Sequence, residues 1–239
     1  MAPGTPDPET AGFNEQDCTR GASAADALGV LYKQGGSSQP GRDYSKIAND
    51  GSELPNSATL GSAPGDWACT RDNTTGLIWE VKTDDGGLRD KDHRYTWYEP
   101  DANRNGGNAG STGSDSCAST LPGGLCNMQA YRTAVNALAG SARMCGATDW
   151  RLPDLTELHT LIHYGVPISD PSIDTAWFPN SISSTGGINF NGFYWSRETN
   201  AKFPHAGWGV YFSPLAVGGY VEGFDKIALR HVRLVRGGQ

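Results

Sequence analysis

The stretch Asp149-Trp150-Arg151-Leu152-Pro153-Asp154 sets a large aromatic between an acid and a base, then a proline, then a helix-start signal. Proline is poorly tolerated inside a helix and marks the end of an extended segment. Asp154 is a good N-cap, and Glu157 stands three residues on, the spacing of a capping box. The reading is an extended segment with Trp150 and Leu152 turned inward, feeding a helix from Asp154. Leu155, Leu158, Leu161 and Ile162 form that helix's apolar stripe, and Gly165 and Pro167 stop it. An Asp and an Arg flanking a bend also suit catalysis. Internal pairing is the simpler use for both.

Working outward, Trp67, Cys69 and Arg71 alternate with Ala68 and Thr70, and Leu77, Trp79 and Val81 alternate with Ile78, Glu80 and Lys82. Two period-2 runs around Asp72-Asn73-Thr74-Thr75-Gly76 predict a β-hairpin. Ala130, Ala134, Val135 and Leu138 recur at helical spacing up to Gly140. Phe193, Trp195 and Arg197, then Trp208, Val210 and Phe212, alternate as strands. Gly218-Gly219 reads as a turn, and Val232-Arg233-Leu234-Val235-Arg236 as the last strand. Two helices between a first hairpin and a late meander make an α+β plan. Residues 1–12 read as a disordered tail. Residues 13–66, with a helical turn at 24–28 and a loop at 35–41, read as a segment wrapping a main domain over 67–239.

Composition bounds the function. The net charge is −7, yet residues 197–239 carry six Lys and Arg against three Asp and Glu. An acidic body argues against nucleic-acid binding, while the basic end leaves room for an anionic ligand. No apolar run reaches the ~20 residues of a membrane span. Cys18, Cys69, Cys117, Cys126 and Cys145 include no Cys-x-x-Cys pair, so zinc and thioredoxin chemistry lack support. They fit two disulfides in an oxidising compartment, with one cysteine left over; reduced buried cysteines are the alternative. Met1 to Pro6 hold no hydrophobic leader, so the chain is either cytoplasmic or has lost one. The cysteines favour the second, with a secreted, periplasmic or cell-surface location.

Four blocks carry a resemblance: Cys69 to Glu80; Cys145 to Pro153 with Glu157-Leu158; Tyr194-Trp195-Ser196; and Val232 to Arg236. Together they resemble the C-terminal domain of bacterial collagen-like adhesins, the Lcl C-terminal family. The resemblance implies a C-type-lectin-like fold: a small antiparallel sheet, two flanking helices and long loops. It also implies an extracellular or periplasmic binding domain without catalysis, acting on a glycan or other surface polymer. Characterised adhesin members trimerise behind a collagen-like stalk. This chain has no Gly-X-Y run, so a homo-oligomer is only an open expectation. The same fold hosts the variable proteins of diversity-generating retroelements. A protein-binding display domain, or a structural subunit of a surface assembly, is therefore the alternative.

The ligand-binding candidates lie on a late β platform: Arg197, Asn200, Lys202, His205, Tyr211, Tyr220, Glu222 and Asp225, with Trp195 and Trp208 assigned to the core. Aromatic faces stack on sugars, hydroxyls take directional hydrogen bonds, and cations recognise sulfate or carboxylate. Asp101, Asn103 and Asn105 match the start of a calcium loop, but Thr112 stands where its closing Glu belongs. Calcium is thus a weaker expectation than no cofactor. Glu99-Pro100-Asp101 resembles a lectin sugar motif whose Trp-Asn-Asp partner is absent. Five scattered histidines and no nucleophile or phosphate-loop motif point away from an enzyme.

Overall fold

The computed structural model describes residues 43–163, 171–182, 192–212 and 220–237. Cys18, the tail, the 24–28 and 35–41 segments, Gly165, Pro167 and Gly218-Gly219 lie outside them. The chain folds as a mixed α/β unit of antiparallel sheets with few helices. The strands are β1 (Tyr44–Ala48), β2 (Glu53–Leu54), β3 (Trp67–Asp72), β4 (Ile78–Glu80), β5 (Phe193–Thr199), β6 (Ala206–Tyr211), β7 (Tyr220–Asp225) and β8 (Val235–Arg236); the helices are α1 (Met128–Asn136) and α2 (Leu155–His159). One sheet has the order β2-β1-β3-β4-β8 and the other β5-β6-β7.

The hairpin between β3 and β4 forms where the sequence places it, with Thr70 opposite Trp79. An Asp72 carboxylate oxygen accepts the Thr74 amide at 2.9 Å, and Gly76 takes a φ of 72°, which tightens the turn. β1 is an inner strand of this sheet: its five residues are all buried, and it pairs with β3 from Tyr44–Asp72 to Ala48–Trp67. Residues 43–66 thus contribute two strands, β1 and β2, to the sheet, not only a cover over it.

The strand period divides the interior in two. On β5, Phe193 and Trp195 enter one core with Tyr95, Trp97, Tyr131, Trp150 and Leu152. Tyr194 enters the other with Trp79, Leu158, Phe178, Val210 and Phe212. The β5-β6-β7 sheet is therefore covered on both faces, which accounts for aromatic residues at successive positions.

The 149–154 stretch lies at the junction of these parts. Arg151 and Val235 exchange backbone hydrogen bonds at 2.9 and 3.0 Å, Val235 pairs with Trp79 on β4, and the Arg197 amide donates to the Pro153 carbonyl at 3.0 Å. Trp150 is 1% exposed, and its indole N–H donates to the Met144 carbonyl at 3.1 Å. Arg151 grips both Glu157 oxygens at 2.7 and 2.6 Å, and Asp149 accepts from Arg236 at 2.7 Å. One Glu157 oxygen also accepts the Asp154 amide at 2.8 Å, as a capping box requires. Disulfides Cys69–Cys145 and Cys117–Cys126 pin β3 and the loop ahead of α1.

Candidate functional site

The platform and the 98–111 loop meet through one residue the sequence reading passed over, Lys226. It follows β7 directly, so the sheet fixes its backbone: its amide donates to the His205 carbonyl at 2.9 Å, and its carbonyl accepts from the Trp97 amide at 3.0 Å. Its ammonium donates to the Asn105 and Asn108 carbonyls at 2.9 and 2.6 Å and lies 3.9 Å from the centre of the Trp97 ring. The side chain is 1% exposed, and this burial lowers its pKa to about 8. Gly110 completes the closure: with φ 81°, its α-carbon sits so near the Trp97 carbonyl that a β-carbon would come within 2.2 Å of that oxygen.

This explains the calcium-like spacing. Asp101 accepts the Asn103 amide and side-chain N–H at 3.0 Å each, with Arg104 3.4 Å away. Asn105 donates to the Glu99 carbonyl at 3.1 Å and accepts the Gly107 amide at 2.9 Å. Asp101, Asn103 and Asn105 come together in one loop, but the first and last of these side chains are engaged with that loop's own backbone. Elsewhere among the described residues, carboxylates of Asp84, Asp90 and Asp92 converge within 4.8 Å. Lys91 answers that charge at 2.9 Å from both Asp84 and Asp92.

The platform residues separate into groups. Asn200 is 8% exposed, and its side-chain oxygen accepts the Lys202 and Phe203 amides at 2.9 and 3.1 Å. It shapes the turn that displays Lys202, Phe203 and His205. The last two rings are exposed, with centroids 6.0 Å apart, and the Lys202 ammonium lies 5.3 Å from the Phe203 centroid. Asp225, also exposed, opens the next turn by accepting the Ile227 amide at 3.2 Å. Arg197 is exposed but pairs with Asp154 at the start of α2, and Glu198 accepts the Leu155 amide at 3.0 Å. Glu222 is half-buried opposite Gly209; of Tyr220 only its place in β7 is described.

Tyr211 needs correction as a surface contact: at 5% exposure it packs in the first core beside Phe193, because both faces of β6 are covered, Tyr211 facing the first core and Val210 the second. Trp208 is only half-buried, with its ring beside Gly223, whereas Trp195 is fully enclosed. Phe203, at 48% exposed, was missed because one aromatic in a turn has no periodicity to announce it. A cleft of about 660 Å³ beside the loop was missed too. It lies against α1 and is lined by Tyr98, Arg104, Leu125 and Arg132 among others. Its only trace in the sequence is the run of alanines at 130, 134 and 137.

A buried charge cluster lies behind the frame. Glu80 is fully enclosed; it accepts from Lys82 at 3.0 Å, from the Tyr131 hydroxyl and from the Leu234 amide at 2.9 Å. Burial alone would raise its carboxyl pKa, but Lys82, Arg89 and these donors outweigh that and hold it below the usual range. Arg233 donates to the Glu80 carbonyl at 2.6 Å and to Ser181 at 2.7 Å. The cluster joins β4, α1 and the C-terminal segment.

Among the described residues no helix is long and apolar enough to cross a membrane. The model of one family, the Lcl C-terminal domain, matches residues 68–236. No curated protein and no solved structure gives a significant match.

Proposed function

The chain belongs to the Lcl C-terminal domain family, and from that premise we propose that it is a non-catalytic, adhesin-like surface domain that binds a glycan at its loop end. The family association with surface adhesins and the two disulfides fit an extracellular location. A C-type-lectin-like fold belongs to the same proposal. It is supported by the β4–β8 pairing near the C-terminus, by the two helices and by the long loop secured over the small sheet.

The observation that carries the glycan reading is the exposed ring pair Phe203 and His205 with Lys202 beside it, on a turn fixed by Asn200. Flat exposed rings stack on the apolar faces of sugars, and a neighbouring ammonium attracts acidic substituents. The turn is held before any ligand arrives, which lowers the ordering cost of binding. Calcium is not required in this reading, because the Lys226 ammonium already occupies the loop carbonyls of Asn105 and Asn108.

A glycan array probed with the full chain, with and without chelator and at two salt concentrations, tests this. Binding should survive chelator, weaken with salt and fall about tenfold in Phe203→Ala. Absence of glycan binding, or equal binding by Phe203→Ala, sinks it. A protein partner is the second reading, favoured by the exposure of Ile227 at 68%, Phe203 at 48% and Val221 at 37%. It predicts no glycan signal and co-purification of a defined protein that Ile227→Asp releases.

A further inference from the structure

We propose that the cleft between the 98–112 loop and α1 is a second binding site, for a small ligand with an alkyl or aryl body and one carboxylate. Its volume of about 660 Å³ lies in the range of small-molecule sites. The floor is apolar, formed by Ala130, Ala134 and Ala137 from one side of α1 and its C-terminus, together with Leu125, which stands 44% exposed. A leucine left half in water beside a row of alanines is apolar surface without a cover. Such a floor has few hydroxyl partners, so it suits a hydrocarbon better than a sugar.

The charge is set by Arg132. It lines the cleft half-buried, its Nε is out of contact with water and accepted by no group, and it has no carboxylate partner among the described residues. The carboxylate that shares the cleft, Glu99, is already engaged by the Gln129 side-chain amide at 2.6 Å and by the Asp101 amide at 3.0 Å. A second guanidinium, Arg104, also lines the cleft; it is 69% exposed and paired with Asp101 at 3.4 Å. The enclosed Nε lacks an acceptor, and a guanidinium without a counter-ion is open to a charge-assisted pair with a carboxylate. An apolar floor under an unanswered guanidinium is the complement of an amphiphilic acid. This site does not depend on the glycan reading, which concerns the turn at Lys202, Phe203 and His205, none of which lines the cleft.

The test is calorimetric titration of the full chain with phenylbutyrate, and with phenylbutanol as its neutral counterpart. Phenylbutyrate should bind saturably with a dissociation constant below about 1 mM, and the alcohol about tenfold more weakly. Arg132→Gln should cost about tenfold for the acid and leave the alcohol unchanged. Ala137→Trp, at an exposed position of the lining, should abolish binding of both with the melting temperature retained. No saturable binding up to about 5 mM, equal affinity for acid and alcohol, or full affinity in Arg132→Gln overturns the proposal. If Ala137→Trp fails to fold, the acid–alcohol comparison and Arg132→Gln still decide it.

Discussion

The frame around Glu80 and the loop end around Lys226 are built from the same residue types and use them in opposite ways. In the frame, charged groups are enclosed and answered mainly by other side chains: Glu80 by Lys82 and Tyr131, and Arg233 by the Ser181 hydroxyl together with one backbone carbonyl, that of Glu80. At the loop end one lysine is buried, and it is answered by backbone carbonyls and an aromatic face. The remaining loop-end side chains, Lys202, Phe203 and His205, are left to solvent. A buried ion pair joins strands that are distant in sequence and resists any change of partner. A backbone-bound ammonium shapes a loop and leaves neighbouring side chains available. The first arrangement fixes the fold, and the second presents a surface.

The comparison breaks first at Glu80. Glu80→Ala leaves the buried Lys82 and the half-buried Arg89 without their anion, and the expected loss is about 3–5 kcal/mol in urea denaturation. A loss below about 1 kcal/mol would mean that the frame is not held by charge. Replacing both Cys69 and Cys145 by Ser opens a 76-residue separation and should cost about 4 kcal/mol by chain entropy. The same change at Cys117 and Cys126, nine residues apart, should cost about 2–3 kcal/mol and act mainly on the loop end.

Acid provides the next test. Burial, with help from Lys82 and Arg94, lowers the His231 pKa to about 4 from 6.5. Between these values the unfolded chain binds a proton that the folded chain refuses, so stability rises with pH across the window. His231 imposes no penalty above pH 6.5 and costs about 3 kcal/mol once the pH has fallen through 4. Thermal melts of His231→Gln should lose that part of the acid slope; an unchanged slope would move the acid sensitivity elsewhere.

Smaller effects sharpen the other half of the comparison. Lys226→Met removes two hydrogen bonds and a cation–π contact. It should cost about 1–2 kcal/mol and speed amide exchange over 105–110 while leaving β3 and β4 protected. Phe203→Ala, at a half-exposed turn position, should change stability by less than about 0.5 kcal/mol while reducing ligand binding. A stability loss like that of Glu80→Ala would mean Phe203 belongs to the frame.

Much of the frame was legible because it is written in periods and caps. Alternation around Asp72 to Gly76 gave the β3–β4 hairpin, and Asp154 with Glu157 gave the start of α2. The loop end was legible only in part. The Asp101, Asn103 and Asn105 spacing marks a loop that wraps something, but the cation it meets is a lysine more than 100 residues away. Tyr211 was misread because polarity of a side-chain tip does not show which face of a strand is covered on both sides of a sheet.

The sequence by itself determined the β3–β4 hairpin, the start of α2 and the family, because periodicity and caps act over a few residues and the family survives as wording. Only the tertiary structure decided that Asp149 and Arg151 are spent on Arg236 and Glu157, that Lys226 fills the loop, and that Arg132 stands over an open apolar floor. The Arg236 and Lys226 contacts join residues 87 and 121 apart, and contact between remote groups leaves no period in the sequence to read.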